Sequence, residues 1–270
     1  MSEESNPQVF PNLWADAVGP AGRGAARDFC ACLAHGTGAQ QPTAFHPEVQ
    51  DTGAPGWIRL LELVEEAVAD GREEFKPLAE LTPEHRRQII TLPPTIARLT
   101  SVKHLVLYGS NLVRIPPEIG AMRSLEEFSP YTSYRLHWFP YEITRCAGLR
   151  SSTVSTRALY GNYKRRPPFP ALPPVSAGLR GADLSDLDPG VRGATAIRTC
   201  SVCDGPVEGV NLRQVWISLR TSGADVLPLL VNACSTACVE ALPVPAEGYV
   251  RTAHTGGPGL VQPPAGRMPR

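Results

Sequence analysis

Four of the seven cysteines fall in two short pairs, Cys200-x2-Cys203 and Cys234-x3-Cys238, with 30 residues between them. Zinc takes up thiolate sulfur in a tetrahedral array, and a pair spaced by two or three residues lets one turn or one helix start supply two ligands. Four thiolates close the coordination sphere and leave no position for an activated water. The spacing therefore predicts a structural zinc ion held by Cys200, Cys203, Cys234 and Cys238, the alternative being four unrelated thiols. A disulfide framework fits poorly with the cytoplasmic character argued below. A second cluster, Cys30-x-Cys32-x2-His35, has the residue types of a further metal site or a reactive thiol pair, but no partner cluster at a known spacing. Nothing else in the N-terminal lead-in argues for a separate activity.

The residues around the cysteines must hold them in place. Thr199-Cys200-Ser201-Val202-Cys203-Asp204-Gly205 ends in the tight turn of a zinc knuckle. Arg213 to Leu219 alternates apolar and polar side chains as a strand does, and Asp225 to Val231 is suited to return as a second. Cys234-Ser235-Thr236-Ala237-Cys238-Val239-Glu240-Ala241-Leu242 reads as the start of a helix. Knuckle, hairpin and helix in this order resemble a treble-clef zinc finger, and the Cys-Ser-x2-Cys phrase is similar to the metal-binding end of TRASH-like and MYM-like members. Nucleic-acid binding, frequent in treble clefs, is what that resemblance implies. The local charge opposes it: residues 200–245 carry Asp204, Glu208, Asp225 and Glu240 against Arg213 and Arg220, whereas phosphate needs a positive surface. Residues 150–200 hold eight bases against three acids, so a nucleic-acid-binding protein using the zinc module and this basic segment remains the alternative.

Upstream, an apolar-proline phrase recurs. Leu92-Pro93-Pro94-Thr95-Ile96 returns as Ile115-Pro116-Pro117-Glu118-Ile119 and, degenerated, as Phe139-Pro140-Tyr141-Glu142-Ile143. The register persists through Leu99, Met122 and Cys146, then Val102, Leu125 and Leu149, then Leu105/Leu107, Phe128/Pro130 and Ser152/Val154. A fixed period of this size is the mark of a solenoid, in which each unit buries its apolar face against the next. The pattern over residues 92–160 resembles a short, bacterial-type leucine-rich repeat array of the LPxxI subclass. The ladder position that the family fills with Asn is Ser110, Ser133 and then Arg157, a poor substitute. Pro130 cannot donate to a ladder, so its strand is short or at an edge. Two good repeats and one distorted repeat are expected.

The resemblance implies a binding role. Side chains alternate across a strand, which places His104, Val106 and Tyr108, then Glu127, Ser129 and Tyr131, then Ser151, Thr153 and Ser155, on the concave face. A protein partner is expected there. Tyr108 above Tyr131 would form a hot-spot pair, since tyrosine offers large contact area at low entropic cost, unless these rings pack against a neighbouring cap. The aromatic segment from Pro130 to Tyr141 is either a recognition surface or a seam against the C-terminal half, and burial is favoured because large exposed apolar patches are uncommon.

Flanking the repeats, Trp57, Leu60, Leu61, Val64 and Val68 lie on one helical stripe that Asp70-Gly71 stops. Thr82-Pro83 opens a second helix to about Ile90. The fold class is thus α/β: a short leucine-rich-repeat solenoid with an N-terminal helical cap, plus a small α+β zinc-binding module. The expected organisation is an irregular Pro/Gly-rich segment 1–55, a helical cap 56–91, repeats 92–163, a Pro-rich basic linker 164–196, the zinc module 197–250 and a disordered tail 251–270. Net charge is zero, so no global field favours nucleic acid or membrane. The acidic N-terminus has no signal-peptide core, and no apolar run approaches the roughly 18 residues a membrane span requires. A cytoplasmic protein follows, and the excess of Arg over Lys with abundant Ala, Gly and Pro suits a GC-rich bacterial genome. No Ser/His/Asp or Cys/His signature and no phosphate-cradling glycine loop occurs, so no catalytic residue is assigned and a non-enzymatic adaptor is expected.

Overall fold

The structure, a computed structural model, describes residues 43–172, 197, 199–207, 211–222 and 225–266. Cys30, Cys32 and His35 lie outside the described residues, as does most of the expected linker.

Helix α1 (Pro55–Asp70) begins with proline at its first position and ends on Gly71, whose φ of 64° is the left-handed cap that glycine adopts freely. It buries Trp57, Leu60, Leu63, Val64 and Ala67. Leu61 and Val68 from the expected stripe are only partly buried, because the helix turns a slightly rotated face to the repeats. Strand β1 (Glu74–Phe75) follows, an element the sequence pattern did not mark. Helix α2 (Pro83–Arg87) starts as expected, with Thr82 Oγ1 accepting the His85 N–H at 3.2 Å. It stops at Gln88, short of Ile90, because the turn tightens: Gln88 and Ile89 donate to the carbonyls three residues back.

Strands β2 (His104–Val106), β3 (Glu127–Ser129) and β5 (Ser151–Ser152) extend β1 into a four-stranded parallel sheet in the order β1-β2-β3-β5. Glu74, His104, Glu127 and Ser151 stand side by side in register, and from His104 onward the sheet advances by the step of the apolar-proline phrase. Each phrase opens a 3-10 turn opposite the sheet: Pro94–Arg98, Pro117–Ala121 and Tyr141–Arg145. Between sheet and turns, the repeated apolar positions from Leu92 through Leu105, Ile119 and Phe128 to Leu149 are buried. Cys146 belongs to this core, its thiol donating to the Ile119 carbonyl at 3.3 Å and pushed up to about 11 by burial.

The polar ladder differs from the expected register in its third rung. Ser110 Oγ lies 2.6 Å from Ser133 Oγ, which also accepts the Ser110 N–H and donates to the Leu107 carbonyl. The next rung is Ser155, whose Oγ accepts the Thr132 N–H at 2.8 Å. Arg157 is exposed: a guanidinium has no acceptor to offer a backbone N–H. Ser155 is therefore buried and not part of the concave surface. Pro130 ends β3 at Ser129, and the strand is short although it lies inside the sheet.

Beyond the ladder, β4 (Phe139–Pro140) joins a second sheet with the hairpin β6 (Arg213–Ser222) and β7 (Asp225–Ala233). Phe139 and Pro140 pair in parallel with Leu229 and Leu230, so the third apolar-proline phrase is shared between repeat and hairpin. A second core gathers Trp138, Tyr160, Phe169, Leu172, Trp216 and Leu230, with Phe45 and Leu260 against it. Trp216 is its centre, with ring centroids of Phe45, Phe169, Tyr160 and Trp138 between 5.6 and 5.9 Å away, and its Nε1 donates to the Pro170 carbonyl. The aromatic segment 130–141 is buried at Leu136, His137, Trp138 and Phe139, as favoured.

Two expectations are corrected by this core. Residues 164–172, the start of the expected linker, place Phe169 and Leu172 inside it. The described part of the expected disordered tail packs over it: His254 exchanges backbone hydrogen bonds with Trp216, and Leu172 donates to the Thr255 carbonyl. Gly256, at φ 70°, passes so close that a Cβ would sit 2.2 Å from the Pro170 oxygen. These strands of coil satisfy their backbone against each other and bury aromatic area, a pairing too long-range to leave a local pattern. Among the described residues no helix is long and apolar enough to cross a membrane.

Candidate metal centre

The two cysteine pairs are delivered by different local structures. Cys200 and Cys203 sit on a tight turn closed by the Cys200 N–H on the Gly205 carbonyl at 2.8 Å and by the Asp204 N–H on the Cys200 carbonyl. Asp204 holds the left-handed conformation, φ 59°, that reverses the chain after the second ligand; Asp tolerates it better than most residues. Cys234 follows the last residue of β7. Ser235 then caps α3 (Thr236–Glu240) by accepting the Cys238 N–H, which sets Cys238 in the first turn.

The four Sγ atoms lie within 4.8 Å of one another. Cys203 to Cys234 and Cys234 to Cys238 are each 3.6 Å. A tetrahedron of thiolates at the usual zinc–sulfur length has an edge of about 3.8 Å, so the cluster fits such an ion after small adjustments. Cys200 is fully buried and Cys203 exposed. Burial opposes ionisation of Cys200, but N–H groups of Cys203, Val202 and Cys234 pointing at its sulfur outweigh it and bring the thiol down to about 7. Cys234 is pushed up to about 12, chiefly because its proton is shared with the sulfurs of Cys203 and Cys238. Sulfurs this close hold protons between them; a divalent cation would replace those protons and let all four ligate.

The turn Tyr141–Arg145 grips the first cysteine turn. Arg145 Nη2 donates to the Cys200 and Ser201 carbonyls at 3.4 and 3.1 Å and pairs with Asp204 at 2.5 Å. Ser201 Oγ donates to Glu142 at 2.7 Å while accepting the Asn232 N–H. Burial drives the Glu142 carboxyl up, with Ser201 pulling the other way. Glu142 and Arg145 escaped the sequence reading as supports: Glu142 fills a variable position of the Pro-x-x-Ile phrase and Arg145 ends the 3-10 turn that follows, and nothing local marks either as a brace for a cysteine turn far along the chain.

The residues assigned to partner binding form a separate patch. His104, Val106 and Tyr108 on and after β2 face the same side as Glu127, Ser129 and Tyr131 on and after β3, with His104 beside Glu127 and Val106 beside Ser129. All six retain solvent exposure, and Tyr131 is 43 % exposed. The Tyr108 and Tyr131 rings lie 5.8 Å apart, tilted by 42°. No known protein-family model matches the chain, and no curated protein sequence matches it.

Proposed function

We propose that this chain is a non-enzymatic leucine-rich-repeat protein that binds a protein partner on the exposed face of its parallel sheet. In this reading the ladder of β2, β3 and β5 is a short LPxxI-type solenoid, α1 and α2 close its first end, and the cysteine module closes the other. Zinc in the four-cysteine cluster would be structural, since four sulfurs leave no coordination position for substrate or water. The observation that carries the binding role is the adjacent Tyr108–Tyr131 pair at the rim of a sheet face that keeps its solvent exposure. Aromatic anchors of this kind dominate interface energies. Thiolate ligands suit a reducing cytoplasm.

Affinity purification with mass spectrometry, using the chain and its Tyr108→Ala/Tyr131→Ala variant, tests the face. A protein captured by the first and lost by the second supports it; capture unchanged by the double substitution overturns it. Metal analysis tests the zinc reading separately: about one zinc per chain, lost in Cys200→Ser/Cys234→Ser, is expected, and a metal-free folded chain would overturn it. The nucleic-acid alternative has less support, because two described bases of the basic segment already have partners within the chain: Arg150 pairs with Glu126, and Arg166 donates to the carbonyls of Gly161 and Gly248.

A further inference from the structure

The four cysteine sulfurs are not equivalent. Cys200 is fully buried, and the N–H groups of Val202 and Cys234 each point at its Sγ at 3.4 Å. Cys234 and Cys238 are half-buried, while Cys203 is exposed. Gly205 brings no side chain to cover it: a Cβ there would lie 3.3 Å from the Cys203 sulfur, so that approach stays open. Cys234 is the inner neighbour on this side, 3.6 Å from both Cys203 and Cys238. A disulfide places its sulfurs about 2.05 Å apart, so a movement of about 1.5 Å joins Cys203 to Cys234.

The first cysteine turn is also held by contacts that involve no sulfur. The Ser201 N–H bonds to the Asn232 carbonyl at 2.8 Å, and the Asn232 N–H returns to Ser201 Oγ at 3.0 Å. Ser201 Oγ donates to Glu142, and Arg145 donates to the Ser201 carbonyl. On the other side, the Ser235 cap accepts the backbone N–H of Cys238. Loss of ligation therefore leaves the two pairs facing each other, and restoring the thiols restores the ligand set.

We propose that Cys203 and Cys234 form an oxidation site for hydroperoxides, whose disulfide discharges the metal held by the four cysteines. The inference rests on the zinc reading above. A ligating cysteine is a thiolate, the nucleophilic form of the residue. The Cys203 sulfur attacks one peroxide oxygen, the O–O bond breaks, and a sulfenic acid forms. The Cys234 sulfur then attacks the Cys203 sulfur, breaking the S–O bond and forming the S–S bond. The two thiolates give up two electrons; with two protons from solvent, hydrogen peroxide leaves as two waters. Cys200 and Cys238 alone do not complete a four-sulfur site, so the ion departs. Transient, redox-sensing disulfides are the kind a reducing compartment permits.

The experiment titrates the zinc-loaded full chain with hydrogen peroxide beside a chromogenic chelator, with an untreated control. Remaining thiols are alkylated, and the products are mapped by proteolysis and mass spectrometry. Release of about one zinc per chain is expected, in step with a Cys203–Cys234 disulfide and with Cys200 and Cys238 alkylated. Dithiothreitol followed by fresh zinc should restore the loaded chain. Zinc retained while peroxide oxidises other cysteines would overturn the proposal, as would release with a different pairing or with irreversible acids at Cys203 and Cys234. A chain purified without zinc would refute the metal reading instead, and the same peptide map would still decide the pairing.

Discussion

Ser133→Ala offers a direct measure of how the parallel sheet is held together. Ser133 and Ser110 are each 1 % exposed, and Ser133 Oγ takes part in three hydrogen bonds: from the Ser110 N–H, with the Ser110 hydroxyl, and to the Leu107 carbonyl. Alanine removes all three and puts no other group within reach. The Leu107 carbonyl keeps a bond from the Ser110 N–H at 3.3 Å, so the main loss falls on the Ser110 hydroxyl, with the Ser110 N–H second. A buried polar group left without a partner costs about 1–3 kcal/mol, so the substitution should destabilise by about 2–4 kcal/mol. Ser155→Ala orphans only the Thr132 N–H and should cost about 1–2 kcal/mol. Arg157→Ala, at the position that simple counting puts on the same ladder, should stay within about 0.5 kcal/mol. Urea denaturation followed by the fluorescence of the buried Trp57, Trp138 and Trp216 measures all three, provided the slope is unchanged. Ser133→Ala costing under about 0.5 kcal/mol, or Arg157→Ala costing as much as Ser155→Ala, would refute the ladder.

Other perturbations address the metal centre, the second core and the binding face. Arg145→Ala removes the donor to the Cys200 and Ser201 carbonyls and the partner of Asp204; zinc affinity by chelator competition should weaken about 10–100-fold, and unchanged affinity would detach Arg145 from the site. Because zinc must displace protons from the thiols, apparent affinity should fall as pH drops below about 7, and a pH-independent affinity would argue against thiolate ligation. Burial holds His254 down to about 4: its folded pKa lies below the ordinary value near 6.5, so its stability contribution is complete above that value and is lost as pH falls toward 4. The full span corresponds to about 3 kcal/mol, of which about 2 kcal/mol falls between about pH 7 and pH 4.5, and His254→Gln should lose about that much less over this interval; parallel losses in urea titrations would contradict it. Tyr108→Ala/Tyr131→Ala should leave thermal unfolding within about 3 °C of the unsubstituted chain, because both rings are partly exposed; a larger drop would make the pair a structural element instead of a contact surface.

The apolar-proline phrase and the paired cysteines were readable because each is a short-range pattern with a direct physical cause. A parallel sheet that adds one strand per unit forces the same apolar positions inward at the same step, so Leu105 and Phe128, or Ile96 and Ile119, declare themselves by spacing. Thr82 before Pro83, and Gly71 after Asp70, mark helix ends through the needs of the adjacent backbone. Cys200-x2-Cys203 and Cys234-x3-Cys238 are close because a turn and a helix start make them so, and the hairpin between them returns the second pair to the first.

What spacing could not convey is which distant pieces meet. The third phrase opens its 3-10 turn like the other two, yet its Phe139 and Pro140 also pair in parallel with β7, a partner that spacing within the phrase could not reveal. Counting placed Arg157 on the ladder, and the tertiary structure installed Ser155, because the rung requires an acceptor and not a position number. Phe169 and the stretch around Gly256 were read as linker and tail from their prolines and glycines, but Trp216 provides an aromatic surface that no local window contains. The sequence by itself determined the recurring apolar-proline phrase and the two short cysteine pairs, both being written in neighbouring residues. Only the tertiary structure decided where the parallel sheet stops and what braces the cysteine turn, because those outcomes depend on backbone and aromatic surfaces that become adjacent only when the chain has folded.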